Sequence, residues 1–222
     1  MIRKPTILMA MLAALSVVAA CGGSDAEDSN GSTKAADDGS GCAPVAAPKP
    51  KQDGGAPQPK SRLDPAKTNT ITFRTSCGDF TVTLDVKGAP STTASVAALA
   101  RTGFYDHTVF HRIVPGFVIQ GGDPTGKGTG GPGYKTVDEP PSDAAYTRGV
   151  VAMAKTQHEA PGTAGSQFYV VTAADSGLPP EYAIIGKVTR GMKTVKRIEA
   201  LGTASEEPQR PVVIEKATFS AK

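Results

Sequence analysis

The sequence predicts a mainly β fold: a closed, eight-stranded antiparallel β-barrel with two α-helices, confined to residues 69–222. Three observations predict it. Eight short runs rich in β-branched and aromatic residues recur between turn-forming stretches. Only two segments carry helix signals, one early and one late. Many of the runs are apolar throughout, which suits a barrel filled inside and partly covered outside.

The elements follow in order. Residues 70–75 and 80–86 alternate apolar and polar (Ile71, Phe73; Phe80, Val82, Leu84, Val86) around Ser76-Cys77-Gly78-Asp79, a hairpin turn. Pro90-Ser91 opens an Ala-rich helical stretch in which Val96 and Leu99 lie three apart and Gly103 supplies a C-terminal cap. Further strands are expected at 109–114, 117–121, 149–154, 167–172, 182–188 and 211–219. A second helix fits 192–200, followed by Gly202.

The chain ahead of this domain divides in two. Arg3 and Lys4 precede an apolar run from Ile7 to Ala20, about 21 Å long as a helix against the ~30 Å of a hydrocarbon core. A basic start, a short apolar stretch and small residues at its end describe a secretory signal peptide over residues 1–20. Val18-Ala19-Ala20-Cys21 resembles the bacterial lipobox, which implies cleavage before Cys21 and a diacylglycerol on its thiol. The expected location is the bacterial cell membrane, lipid-anchored, with the domain on the extracytoplasmic side. Residues 21–68 are read as the lipidated cysteine and a disordered Gly/Pro/Ala-rich linker. Val45 and Leu63 are its only large aliphatics, too little to offset the entropy of ordering it.

Composition excludes several classes. The formal charge is +3, and Arg3 and Lys4 account for two of those charges, so a nucleic-acid partner is not expected. Cys21, Cys42 and Cys77 form no C-x-x-C pair and no metal site is expected. After lipidation of Cys21, Cys42 and Cys77 remain in an oxidising compartment; a disulfide, free thiols and another partner are all open.

One stretch carries the chemistry: Phe110-His111-Arg112-Ile113-Val114-Pro115-Gly116-Phe117-Val118-Ile119-Gln120-Gly121-Gly122-Asp123. With Gly165-Ser166-Gln167-Phe168-Tyr169 and Ile185-Gly186-Lys187-Val188, it closely resembles the cyclophilins, peptidyl-prolyl isomerases built on an eight-stranded barrel capped by two helices. The likeness runs in order from about Thr70 to the C-terminus. It implies a cofactor-free isomerase acting on X–Pro-containing polypeptides. By that resemblance Arg112, Gln120 and Phe117 are catalytic, and His111, Val118, Ala154, Lys155, Gln167, Tyr169, Leu178 and Tyr182 bind substrate. Nothing calls for an oligomer, so a monomer is expected.

The residue types suit the job. Rotation about an X–Pro bond must break amide resonance, a barrier of about 18–20 kcal/mol. In the twisted transition state the prolyl nitrogen regains a lone pair, and a fixed guanidinium can donate to it. That bond is worthless to the planar ground state, and such differential binding lowers a barrier. Arginine is always charged and presents its donors in a rigid plane. Arg112 and Gln120, eight apart across the Pro115-Gly116 turn, are expected on one face of adjacent strands.

The chain departs from the family pattern at several places. Gly177 stands where cyclosporin-sensitive members carry Trp, Tyr182 replaces a common His, Lys155 a common Asn and Tyr169 a Phe. The added Tyr169 hydroxyl requires a partner or water. The loop 156–164 is about three residues longer than in short relatives. Gly126-Lys127-Gly128-Thr129-Gly130-Gly131 satisfies G-x-G-x-x-G, but Pro132-Gly133 follows and no helix can hold a phosphate. A proline-peptide docking module with little isomerase activity is the alternative reading.

Overall fold

The computed structural model describes residues 41–222. The signal peptide at 1–20 and the lipidation site Cys21 lie outside the described residues.

The elements run β1 (Asn69–Thr75), β2 (Gly78–Leu84), α1 (Pro90–Arg101), β3 (Thr108–Val114), β4 (Val118–Asp123), β5 (Thr136–Val137), β6 (Val150–Met153), β7 (Thr163–Ala164), β8 (Phe168–Val171), β9 (Ile184–Arg190), α2 (Met192–Glu199) and β10 (Val213–Ala221). Eight strands close a barrel in the order β1-β10-β3-β4-β8-β6-β9-β2, and every pairing is antiparallel. Closure leaves no sheet edge to template aggregation. The expected eight strands and two helices are therefore present. Strands β5 and β7 form an additional two-stranded ribbon, too short to show any sequence alternation.

Strand alternation builds two apolar layers. Phe73, Phe80, Phe110, Ile113, Ile119, Met153, Phe168 and Val170 fill the barrel core with residues of both helices. The Phe73 ring lies 5.1 Å from Phe80 and 4.9 Å from Phe168, within the range of favourable aromatic pairs. A second, smaller cluster (Val118, Tyr146, Val150, Ala152, Tyr169, Val171) comes from the other face of β4, β6 and β8. The site is built over this outer layer.

The structure differs from the linker reading over residues 42–68. These residues pack on the barrel without regular secondary structure. Cys42 is disulfide-bonded to Cys77 in the first hairpin, and both are buried. Lys51 donates from Nζ to the carbonyls of Gly103 (2.9 Å) and Phe104 (2.8 Å), just past α1. Gly54 donates to Gly131 O (2.9 Å), Ala56 to Pro132 O (3.1 Å), and Asp53 accepts from Gly131 N–H (2.8 Å). Leu63 joins the barrel core. The segment is poor in apolar residues, as its composition says. It is ordered instead by a covalent link and by backbone and side-chain hydrogen bonds to loops of the barrel, neither of which composition reveals.

Candidate functional site

Four adjacent strands present one row of side chains. Arg112 on β3 is the direct cross-strand partner of Gln120 on β4, Gln120 of Tyr169 on β8, and Tyr169 of Ala152 on β6. Strict alternation would not produce this. Phe110 and Arg112 are two apart and belong on the same face of a regular strand, yet Phe110 and Ile113 are both wholly inside. The register between β3 and β4 slips between Phe110 and Arg112, so that His111 is the extra residue of a bulge. The bulge shifts the phase by one, sending Phe110 inward and Arg112 outward beside Gln120.

The row borders a cavity of about 240 Å³ lined by Arg112, Phe117, Val118, Gln120, Ala154, Lys155, Tyr169, Leu178 and Tyr182. Nine of the eleven residues named from the sequence thus meet at one place. Phe117, Val118, Leu178 and the Tyr rings supply apolar walls, and Arg112 and Gln120 bring polar groups to one side. Tyr182 stands edge-on to both Tyr169 (5.8 Å) and Tyr146 (6.0 Å). The Tyr146 hydroxyl donates to Tyr182 O (2.7 Å) and accepts from Tyr182 N–H (2.9 Å), fixing that wall. Tyr146, buried beneath the site, carried no signal in the sequence. Gly177, next to the cavity-lining Leu178, has open space around it: a Cβ there would meet nothing within 4 Å.

Gln167 lies outside this cavity and lines a second one of about 250 Å³, which shares Gln120, Ala154 and Lys155 with the first. Its amide donates to Gly130 O (2.9 Å) and accepts from Gln120 Nε2 (3.1 Å). Gln120 keeps one N–H and its carbonyl for a ligand. Gly130 belongs to the glycine-rich loop, which is wrapped around the buried Asp123 carboxylate. Thr125 N–H (2.7 Å), Thr125 Oγ1 (2.9 Å) and Gly130 N–H (3.1 Å) all donate to it. Burial would raise the Asp123 pKa, but these donors outweigh it and hold the carboxyl below its ordinary value. A Cβ on Gly130 would come within 2.3 Å of Asp123 Oδ1, so the loop requires glycine there. This is the role of the G-x-G-x-x-G stretch.

His111 is not part of either cavity lining. Its ring faces Gly128, where a Cβ would sit 3.5 Å from its Cδ2, and both ring nitrogens are buried. Burial pushes its pKa below the ordinary 6.5, offset in part by Asp123 and reinforced by Arg112. At the bulge Arg112 lines the first cavity and His111 lines neither.

Lys155 contributes its hydrocarbon stem more than its charge. Its side chain is only 3% exposed, and Nζ is paired with Glu181 (2.9 Å) and donates to Glu159 O (3.2 Å). Ala154 uses its N–H on Gln167 O (2.9 Å), leaving its carbonyl as the group to meet an extended peptide. The Tyr169 hydroxyl is buried with no partner, and burial raises its pKa far above the phenol range.

Arg112 points to the cavity while its Nε donates to Glu206 Oε2 at 2.6 Å. The pair is open to solvent, with side chains 35% and 48% exposed. It is therefore not a buried ion pair that would withdraw the guanidinium from use.

Residues 70–219 match the family profile of the cyclophilin type peptidyl-prolyl cis-trans isomerase/CLD. The chain belongs to the cyclophilin family. It is a peptidyl-prolyl cis-trans isomerase. It is 41% identical over 141 residues to the peptidyl-prolyl cis-trans isomerase-like 1 of Emericella nidulans, covering 62% of this chain and 85% of that protein. It is 38% identical over 175 residues to peptidyl-prolyl cis-trans isomerase A of Mycobacterium tuberculosis, covering 70% and 94%. Among solved structures, a Cryptosporidium parvum cyclophilin crystallised in the presence of the dipeptide Ala-Pro superposes with a TM-score of 0.64 at 32% identity, covering 69% of this chain and 99% of that one. The cyclophilin barrel with its two helices is the fold described above.

Proposed function

We propose that this cyclophilin isomerises X–Pro bonds in exported polypeptides, as a monomer tethered through a lipid on Cys21 to the outer side of a bacterial cell membrane. The observation that carries the catalytic assignment is the cross-strand pair Arg112–Gln120 at the polar side of an otherwise apolar cavity. The proline ring seats against Phe117, Val118, Leu178 and Tyr169. Gln120 and the Ala154 carbonyl hold the peptide backbone, and the Arg112 amino groups donate to the prolyl nitrogen as the bond twists. The Ala-Pro dipeptide present with the Cryptosporidium relative supports a proline-containing ligand.

The magnitudes are consistent. Bringing a tens-of-seconds isomerisation to milliseconds takes about 10⁴-fold, or roughly 5–6 kcal/mol. One charged donor aimed at developing electron density supplies about 3–4 kcal/mol of that. Apolar confinement of the ring supplies the remainder. Export is supported by the basic-then-apolar start, by Cys21 at its end, and by the Cys42–Cys77 disulfide, a bond that persists in oxidising compartments.

Two measurements test the reading. Exchange between cis and trans forms of a short X–Pro peptide, followed by NMR, is fast with the wild type and slow with Arg112→Ala; binding without exchange in the wild type would instead make this a docking module. In a bacterial host, Cys21→Ser releases the protein from the membrane fraction. Undiminished membrane retention of that variant would remove the anchor.

A further inference from the structure

We infer that Glu206 is a positioning residue for the reaction: its carboxylate holds Arg112 through Nε, so that the terminal amino groups of the guanidinium stay available to the proline cavity. The inference rests on Arg112 being the transition-state donor.

The loop after α2 is built to bring this carboxylate to β3. Glu206 accepts the Ile113 N–H on its own carbonyl at 2.7 Å, one residue from Arg112, and donates its N–H to Thr203 O at 3.0 Å. Thr203 Oγ1 meets Ser205 Oγ (2.8 Å) and donates to Glu207 O (2.7 Å), and a bridge joins Gly202 to Pro208. Within this loop Glu206 has φ +66°, a left-handed conformation uncommon for a residue with a side chain. Such backbone is tolerated where the surroundings over-determine it, and it clusters at functional sites. Glycine would meet the backbone requirement without strain. What glutamate adds is the carboxylate, and that carboxylate reaches Arg112 at 2.6 Å.

The form of the contact separates holding from sequestering. A guanidinium has five N–H donors, four of them on the two terminal amino groups. A carboxylate that withdrew it from use would take a bidentate fork through those groups. Here the bond is made by Nε, the one donor nearest the stem. An exposed pair of this kind does little for stability. It does limit the rotamers of a long, half-exposed side chain before substrate arrives, which is where preorganisation acts.

The test uses the full chain and an X–Pro peptide, with kcat, KM and Tm measured for Glu206→Gly, Glu206→Gln and Arg112→Ala. Glu206→Gly keeps the left-handed backbone and removes only the side chain. It is expected to lower kcat about tenfold, with KM within about twofold of wild type and Tm unchanged or higher. Glu206→Gln retains an acceptor for Nε and is expected to recover most of that loss. Wild-type or faster turnover in Glu206→Gly, with Arg112→Ala inactive, overturns the positioning role while sparing Arg112. A Glu206→Gln variant no faster than Glu206→Gly also overturns it. Full activity in Arg112→Ala overturns the Arg112 assignment and this inference together.

Discussion

Gln120 donates from Nε2 to Oε1 of Gln167 at 3.1 Å, across strands that are neighbours in the barrel but 47 residues apart in sequence. Gln167 in turn donates to Gly130 O, so the glycine loop, Gln167 and Gln120 form one chain of hydrogen bonds that ends in the site. Gln167→Leu is expected to free the Gln120 amide and lower kcat/KM about three- to tenfold, with less effect than Gln120→Ala itself. Equal effects in the two variants would mean that Gln167 touches substrate directly.

Arg112→Ala removes the side chain proposed to donate to the prolyl nitrogen. Loss of one preorganised charged donor costs about 10²–10³ in kcat/KM. Arg112→Lys recovers little, since an ammonium lacks both the planar fork and the Nε that Glu206 holds. Thermal stability should change by less than about 1 kcal/mol, because the ion pair is exposed. Activity is read with the NMR exchange assay and stability with thermal unfolding.

The disulfide closes a loop with a sequence separation of 35. Chain-entropy arguments value that closure at about 3–4 kcal/mol. Reductant, or Cys42→Ser with Cys77→Ser, should therefore shift the guanidinium unfolding midpoint downward and free residues 42–56 for proteolysis. An unchanged midpoint would mean that the non-covalent contacts of the segment, those of Lys51, Asp53, Gly54, Ala56 and Leu63 among them, hold it without the disulfide.

Tyr169→Phe removes a buried hydroxyl that has no partner and leaves the ring in the cavity wall. An unsatisfied buried hydroxyl costs about 1–3 kcal/mol. The variant is expected to melt about 2–12 °C higher with kcat near wild type. A lower melting temperature would show that the hydroxyl is satisfied.

His111 gives stability a defined pH dependence. Burial lowers its pKa in the folded state below the ordinary 6.5, while the unfolded chain titrates near that value. As pH falls below about 6.5 the unfolded state binds the proton first, so stability declines until the folded pKa is reached and is level below it. His111→Gln should remove this decline from the pH dependence of the unfolding free energy. A decline that persists unchanged in the variant would assign it to other groups.

Local pattern made most of this molecule legible. Alternating apolar residues marked strands because a pleat puts every second side chain on one face, and Pro90, Gly103 and Gly202 bracketed helices through backbone constraints each residue carries with it. The stretch from Phe110 to Asp123 holds four of the residues that line the cavity, Arg112, Phe117, Val118 and Gln120. His111 lines neither cavity; it sits at a bulge, where the period of two breaks, and bulges are set by the partner strand. The segment 42–68 read as a loose tether because its composition lacks a core of its own, whereas its order comes from Cys77, Gly103, Phe104 and Gly131 elsewhere in the chain.

The sequence by itself thus determined which segments are the barrel strands and the two helices, and the family to which the chain belongs. Only the tertiary structure decided the packing of residues 42–68 on the barrel, the outward turn of Arg112 at the bulge, and its meeting with Glu206, 94 residues downstream. The reason is physical: backbone preference and hydrophobic period act over a few neighbouring residues. A hydrogen bond between distant loops exists only once the strands between them have paired.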